Sequence, residues 1–323
     1  MRRATAGVCL ALLMAACGGG NEAGSPATSA GASVDDLAVT AANYDLAKGT
    51  PSRFTAGLET SDRRLVTFGT VTMRFAFAGT GKGEQSEEPG PPVEARYLAI
   101  AGSEVPDPPP STPQVVTAAS ARGVYAASTV FDRAGFWEVQ VTAKVDGRPR
   151  RGTGAFQVLG RHQFPAPGDA APATENLTLT APPELRPAVD SRAAGGGEIP
   201  DPELHRSTIA SALAAKRPVV AVLSTPVYCV SRFCGPVTDM VAELARSYGD
   251  RATFVHVEVW RDFQGKVVNK SAAEWVLRDG NLAEPWVYVV GADGRISARF
   301  DNVVIRGELE PLVKALPVIG PAA

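Results

Sequence analysis

Two cysteines five residues apart, Cys229 and Cys234, are the residues of this chain best suited to chemistry. A pair of thiols can exchange electrons with another pair by forming and breaking a disulfide bond. The run 219–223 before them is short, apolar and β-branched, which predicts a buried strand. The stretch 237–248 after them has apolar residues at helical spacing. The sequence therefore places the pair in a strand-to-helix turn, where the positive end of a helix favours thiolate over thiol.

A fixed structural disulfide is the alternative for this pair, and it is common in exported proteins. Closing so small a loop removes little chain entropy, so such a bond would stabilise the fold only weakly. The short spacing therefore favours a switching disulfide over a structural one. The bond requires residues 230–233 to be non-helical, because side chains five apart on an α-helix diverge. Proline suits the first helical position, so we expect the helix to begin at Pro236.

The other two cysteines, Cys9 and Cys17, lie in an N-terminal segment typical of an export signal. Residues 1–17 have a charged start and an apolar run that is too short to span a bilayer. The small residues before Cys17 resemble a bacterial lipoprotein signal, which implies that Cys17 is the lipidated first residue. The resemblance implies a membrane-anchored, extracytoplasmic protein of the cell envelope. Residues 18–36 are rich in Gly, Ala and Ser and predict a flexible tether.

Residues 37–160 carry short alternating or β-branched runs separated by turn residues. Asp146 and Gly147 form a hairpin signal between the last two runs. This pattern predicts an all-β antiparallel sandwich, and residues 123–139 resemble strands of immunoglobulin-like domains in exported bacterial proteins. No cysteine, histidine or carboxylate cluster marks a reaction centre there, so we expect a binding or spacer role. A net charge of −2 gives no reason to expect a nucleic-acid partner.

The remainder of the 323-residue chain divides into a linker and a second folded part. Residues 161–202 are rich in Pro, Gly and Ala and predict a linker. Residues 203–318 alternate between strand and helix patterns and end in a hairpin and a helix. The cysteine turn, together with Glu284-Pro285 before an apolar strand, resembles the thioredoxin-like fold. We therefore predict a multidomain chain, an immunoglobulin-like sandwich followed by an α/β thioredoxin-like domain with a cis Pro285 facing Cys229.

The resemblance implies thiol–disulfide exchange with thiol- or disulfide-bearing envelope proteins as partners. In that mechanism Cys229 is the attacking thiol, Cys234 is the resolving thiol, and Pro285 shapes the partner groove. Tyr228, Phe233 and Glu284 are the candidates for contacting the substrate in that groove. The family's usual pair has two intervening residues and a preceding Trp, whereas this pair has four and follows a Tyr. A charged Glu284 beside the pair would raise the thiol pKa and oppose its reactivity.

Three other functions remain open from the sequence. The cysteine spacing resembles one class of two-cysteine peroxiredoxins, although Pro226 stands where that family has a Thr or Ser that holds peroxide. Copper binding of the copper-assembly type needs a histidine beside the two thiolates, and none of His162, His205 and His256 matches it. His256 lies in a strand pattern and is expected to be packed, so we predict no metal and no cofactor. A non-catalytic interaction lipoprotein with a fixed disulfide is the third alternative.

Overall fold

The computed structural model describes residues 36–81, 83–117 and 122–319. The predicted lipid-attachment residue Cys17, the signal segment 1–17 and all but the last residue of the tether lie outside those ranges. Within the described ranges, no helix has both the length and the apolarity that a membrane span requires.

Nine antiparallel strands form the first sheet, and alternation of apolar with polar residues explains why. In the fourth strand, for example, Val71, Met73 and Phe75 are buried while Thr72 and Arg74 between them are exposed. The strands are β1 (Leu37–Ala41), β2 (Pro51–Thr60), β3 (Leu65–Thr67), β4 (Thr70–Phe77), β5 (Val93–Ala99), β6 (Gln114–Val116), β7 (Gly123–Val130), β8 (Gly135–Val145) and β9 (Arg148–Val158). Their order along the sheet is β6-β3-β2-β7-β5-β4-β8-β9, with β1 paired to β2.

This sheet folds over so that its first strand packs on its last, which gives a sandwich-like region. The backbone N–H of Asp36 donates to the carbonyl of Arg151 at 3.1 Å. Gly152 permits the close approach, because a Cβ there would lie 2.1 Å from the carbonyl oxygen of Leu37. The predicted hairpin at 146–147 is confirmed, since β8 and β9 pair on either side of it and both turn residues have positive φ.

The second sheet has four strands in the order β11-β10-β16-β17. β10 is central and entirely buried, because its alternate residues enter two different apolar clusters on the two faces of the sheet. Helices α3 and α5 contribute to one cluster, and α2 and α4 to the other. The elements are α1 (Arg186–Val189), α2 (Ile209–Ala214), β10 (Val219–Ser224), α3 (Cys234–Tyr248), β11 (Thr253–Glu258), β12 (Trp260–Asp262), β13 (Val267–Val268), α4 (Lys270–Val276), β14 (Leu277–Arg278), β15 (Asn281–Leu282), β16 (Trp286–Val290), β17 (Ile296–Asp301) and α5 (Arg306–Ala315).

The predicted fold class, an immunoglobulin-like sandwich followed by an α/β thioredoxin-like fold, is wrong. The described residues are mostly β, with 37% in strands and 18% in helices, and several of the sheets are antiparallel. Among the named strands, only β10 and β11 pair in parallel, whereas α/β layering is built from parallel strands joined by helices. Two short hairpins, β12-β13 and β14-β15, add further antiparallel pairs. Local patterns identify strands but not the direction in which they pair.

The described residues from 36 onward pack as one unit, and the segment predicted as a linker takes part in it. Ala188 and Val189 of α1 and the two residues that follow are buried. The segment contains three single-turn 3-10 helices, Pro183–Leu185, Ser191–Ala193 and Pro202–Leu204. The Ser191 N–H donates to the Glu258 carboxylate of β11 at 2.8 Å, which joins the segment to the second sheet. The domain boundaries proposed from the sequence stay a prediction.

An ion pair between Arg53 of β2 and Glu308 of α5 joins the two sheet regions. Its two nitrogen–oxygen distances are 2.5 and 2.9 Å, and both side chains are largely shielded from solvent. We expect Glu308→Gln to lower the free energy of unfolding by about 1 kcal/mol, because a shielded two-bond pair is stronger than a surface pair. Gln can still accept from the Ile305 N–H with its one oxygen, but its amide nitrogen cannot accept from Arg53, so the charge and one of the two bonds are removed.

Urea denaturation at low and high salt checks this expectation, since added salt weakens the pair. The matched control is Glu87→Gln, which breaks a similar two-bond pair with Arg133 on the exposed surface of the sandwich-like region. We expect no measurable change for the control. Equal effects for the two variants would contradict the role of shielding.

Candidate functional site

The cysteine turn connects β10 to α3, as predicted. Cys229 and Cys234 form a disulfide bond with their Cα atoms 5.9 Å apart, and residues 230–233 form a turn and a bend, as closure of the bond requires. The helix begins at Cys234, two residues before the predicted start. Gly235 and Pro236 lie in its first turn, where backbone N–H groups need no partner within the helix.

The two cysteine residues differ in exposure. Cys229 is partly exposed, whereas Cys234 is fully buried at the first position of α3. The neighbouring Val230 is 97% exposed, so the turn projects into solvent beside Cys229. An external thiolate can therefore reach Cys229, and the electron pair of the broken bond would pass to Cys234. The N-terminus of α3 stabilises the thiolate formed there.

Two of the predicted groove residues lie together next to the turn. Tyr228 and Glu284 line a cavity of about 370 Å³, and Tyr228 stacks on Phe263 with a ring separation of 4.0 Å. Phe233 is not part of this cavity. It lines a second one of about 510 Å³, together with residues of the first sheet. The first cavity is mainly aromatic and apolar. Besides Tyr228, Phe263 and Glu284, the residues that line it are Tyr44, Val230, Ser231, Trp260 and Leu282.

Pro285 lies immediately before β16, and its peptide bond with Glu284 is cis, as predicted. The segment is fixed on both sides of that bond. The Tyr44 hydroxyl donates to the Glu284 carbonyl at 2.6 Å, and the Asn302 N–H donates to the Pro285 carbonyl at 2.8 Å. Tyr44 comes from the connection between β1 and β2, so the first sheet region contributes to the rim of the cavity beside the disulfide.

The carboxyl group of Glu284 does not carry the charge expected from the sequence. Burial and the nearby Glu258 raise the pKa of Glu284 to about 8, although the backbone N–H of Thr225 donates to it. One of its oxygens, Oε2, is buried without a hydrogen-bond partner. At neutral pH the group is therefore mainly protonated. It then repels a thiolate in the turn much less than a carboxylate would.

A buried polar cluster lies beneath the start of the turn, and no pattern in the sequence predicted it. Asp190, His205 and His256 are fully buried, and one ligand atom from each lies within 4.8 Å of the others. These three could hold a metal ion, since two imidazoles and a carboxylate are common metal ligands. Burial alone would lower the pKa of His256, but the Asp190 carboxylate raises it. The only sequence signal was a histidine in an apolar strand.

Comparison with models of protein families finds no match to this chain. A search of curated proteins finds no match either. The disulfide and the residues around it are therefore the basis for proposing a function.

Proposed function

We propose that this protein is a lipid-anchored thiol–disulfide exchange protein of the cell envelope. The observation that carries the proposal is the asymmetry of the disulfide, with Cys229 accessible and Cys234 buried at a helix N-terminus. A bond built only to stabilise the fold has no need of a partly exposed cysteine in a solvent-projecting turn. The oxidising envelope allows such a pair to cycle between its two states.

The exchange proceeds by two displacements at sulfur. In the reduced protein, the Cys229 thiolate attacks a partner disulfide, and one partner sulfur leaves with the electron pair of the broken bond. Cys234 then loses its proton and attacks Cys229 in the mixed disulfide, which releases the second partner sulfur. Two electrons and two protons pass to the partner while the Cys229–Cys234 bond forms. The same steps in reverse oxidise a partner dithiol.

The cavity beside the turn supports a polypeptide partner. Its aromatic and apolar lining, with Tyr228 and Trp260 on its walls, fits an apolar side chain next to a partner cysteine. Glu284, being mainly protonated, adds a neutral hydrogen-bonding group to this wall. We therefore propose thiol- or disulfide-bearing envelope proteins as the partners.

We expect Cys229→Ser to abolish exchange with a model disulfide peptide, because the attacking sulfur is lost. Cys234→Ser should keep the first displacement and accumulate the mixed disulfide, since the resolving thiol is missing. Rapid acid quenching, alkylation and mass spectrometry follow both species. The Cys9→Ser variant of the full-length protein is the matched control and should exchange normally.

The reduction potential of the wild-type pair, measured in glutathione buffers, decides between exchange and a fixed bond. A potential above about −300 mV is expected for an exchanging pair. A potential far below that value, together with no difference between Cys229→Ser and wild type in the exchange assay, would indicate a non-catalytic protein with a structural disulfide.

A further inference from the structure

The buried cluster of Asp190, His205 and His256 contains two lone pairs that face each other. His256 Nε2 lies 3.2 Å from the Ser224 carbonyl oxygen, which can only accept, so Nε2 carries the hydrogen. In a neutral ring the other nitrogen, Nδ1, then has a lone pair. This atom lies 3.4 Å from Asp190 Oδ2, which is also an acceptor. A positively charged species between the two atoms removes the repulsion.

His205 directs a second nitrogen at the same carboxylate oxygen. Its Nε2 lies 3.4 Å from Asp190 Oδ2, and neither of its ring nitrogens has a hydrogen-bond partner. The side chain is fully buried, so solvent does not supply the missing partner from the surface. An unpartnered imidazole is costly in the interior. Such a ring is satisfied when it binds a cation.

Two of the three distances between these atoms fit a tetrahedral ion. Zinc binds histidine nitrogen and carboxylate oxygen at roughly 2.0–2.2 Å, so two ligand atoms of a tetrahedral site are about 3.4 Å apart. Both histidine-to-carboxylate distances are 3.4 Å. An octahedral site of the same bond length would bring adjacent ligands to about 3 Å. These two distances favour a four-coordinate ion, and the two histidine nitrogens, which lie within 4.8 Å of each other, would come to about 3.4 Å apart around it.

We propose that Asp190 Oδ2, His205 Nε2 and His256 Nδ1 bind a single divalent transition-metal ion of the zinc type. Three protein ligands leave the fourth position for a water molecule or another small ligand. The ion connects three parts of the chain, because Asp190 follows α1, His205 lies in the loop before α2 and His256 lies in β11. This site is independent of the proposed exchange reaction.

Groups around the three ligands hold them in place for an ion. The Ser224 carbonyl fixes the ring of His256, and the guanidinium of Arg192 donates to Asp190 at 2.8 and 3.0 Å. Each carboxylate oxygen has two lone pairs, so Oδ2 can accept from Arg192 and still bind the ion. Hydrogen bonds of this kind to metal ligands are a regular part of protein metal sites.

Metal analysis of the full-length protein, refolded with Zn²⁺ or Co²⁺ and then dialysed against chelator, tests the proposal. We expect about one ion per folded chain, with slow release because the site is buried, and fast release on unfolding. The Co²⁺ form should show the intense visible absorption of four-coordinate cobalt. Both His205→Gln and His256→Gln should reduce retention to below about one tenth of an ion.

His162→Gln is the matched control, because the third histidine contacts Asp45 and Arg299 and lies outside the cluster. It should retain the ion and the Co²⁺ spectrum. If the two cluster variants do not fold, X-ray absorption of the wild-type Co²⁺ protein still decides, since it must show two imidazole ligands. A folded wild-type protein that retains no ion and gives no Co²⁺ absorption would overturn the proposal and leave a proton between His256 and Asp190.

Discussion

Replacing Asp45 with Ala should lower the free energy of unfolding by about 3 kcal/mol at neutral pH, because removing one partner of a buried ion pair leaves the other uncompensated. The Asp45 side chain is fully buried and lies 2.9 Å from Arg299 Nη1. Its oxygens also accept from the backbone N–H groups of Gln163 and Phe164 at 3.1 and 3.2 Å. The variant would leave all three donors without this acceptor.

The same carboxylate should make the protein sensitive to acid. Burial alone would raise the pKa of Asp45, but the hydrogen bond with His162 and the charge of Arg299 hold it below its usual range. A carboxylate with a lowered pKa in the folded state stabilises the protein above its unfolded pKa, and this contribution is lost as the pH falls through the folded pKa. Asp45→Asn should therefore be less stable than wild type at pH 7, and its free energy of unfolding should fall less than that of wild type on acidification.

Urea denaturation of wild type, Asp45→Ala and Asp45→Asn at pH 7 and near pH 3 checks both expectations. Asp62→Asn is the control, because that carboxylate also contacts an arginine but is exposed. An Asp45→Ala variant as stable as the Asp62 control would show that the buried pair does not stabilise this fold.

Replacing Glu284 with Gln should raise the free energy of unfolding in alkaline solution, the opposite of the effect expected for Asp45→Ala. The pKa of Glu284 is raised to about 8, while an unfolded glutamate titrates near 4.3. Between these values the unfolded chain has released the proton and the folded chain retains it, so wild-type stability falls as the pH rises. At 1.4 kcal/mol per pKa unit, reduced for partial exposure, the Gln variant should gain roughly 3 kcal/mol at pH 8 relative to pH 4.

Denaturation midpoints of wild type and Glu284→Gln between pH 4 and pH 9 measure this difference. Gln keeps an oxygen that can accept from the Thr225 N–H, so the change mainly removes the titrating group. Glu274→Gln, on the exposed side of α4, is the control and should follow wild type at every pH. Parallel curves for Glu284→Gln and wild type would exclude a buried, protonated Glu284.

The cysteine turn could be predicted from the sequence because its determinants are local. The buried run of β10, the apolar spacing of α3 and the two cysteines lie within thirty residues of one another. Of the three groove candidates, Tyr228 and Glu284 line one cavity, whereas Phe233 lines another. A turn has no fixed residue period, so the sequence does not show that the side chains of Tyr228 and Phe233 face different surfaces.

The polar cluster could not be predicted, because its three members lie in a linker-like segment, a loop and a strand. Proline, glycine and alanine content indicates how a backbone bends, but it does not indicate whether the segment is buried. Asp190 was therefore assigned to a linker although its side chain is fully buried. The fold class failed for a related reason, since the direction of strand pairing depends on residues distant in the sequence.

The contacts of residues 43–45 have a consequence for the order in which the chain can fold during synthesis. The N–H of Tyr44 donates to Asp301 across 257 positions, and Asp45 meets Arg299. A ribosome must therefore translate nearly all of the described sequence before the connection between the first two strands finds its partners. Until then this connection lacks its buried partners. Because these contacts close a very long loop, we expect the first sheet region to be completed only after the second has been synthesised.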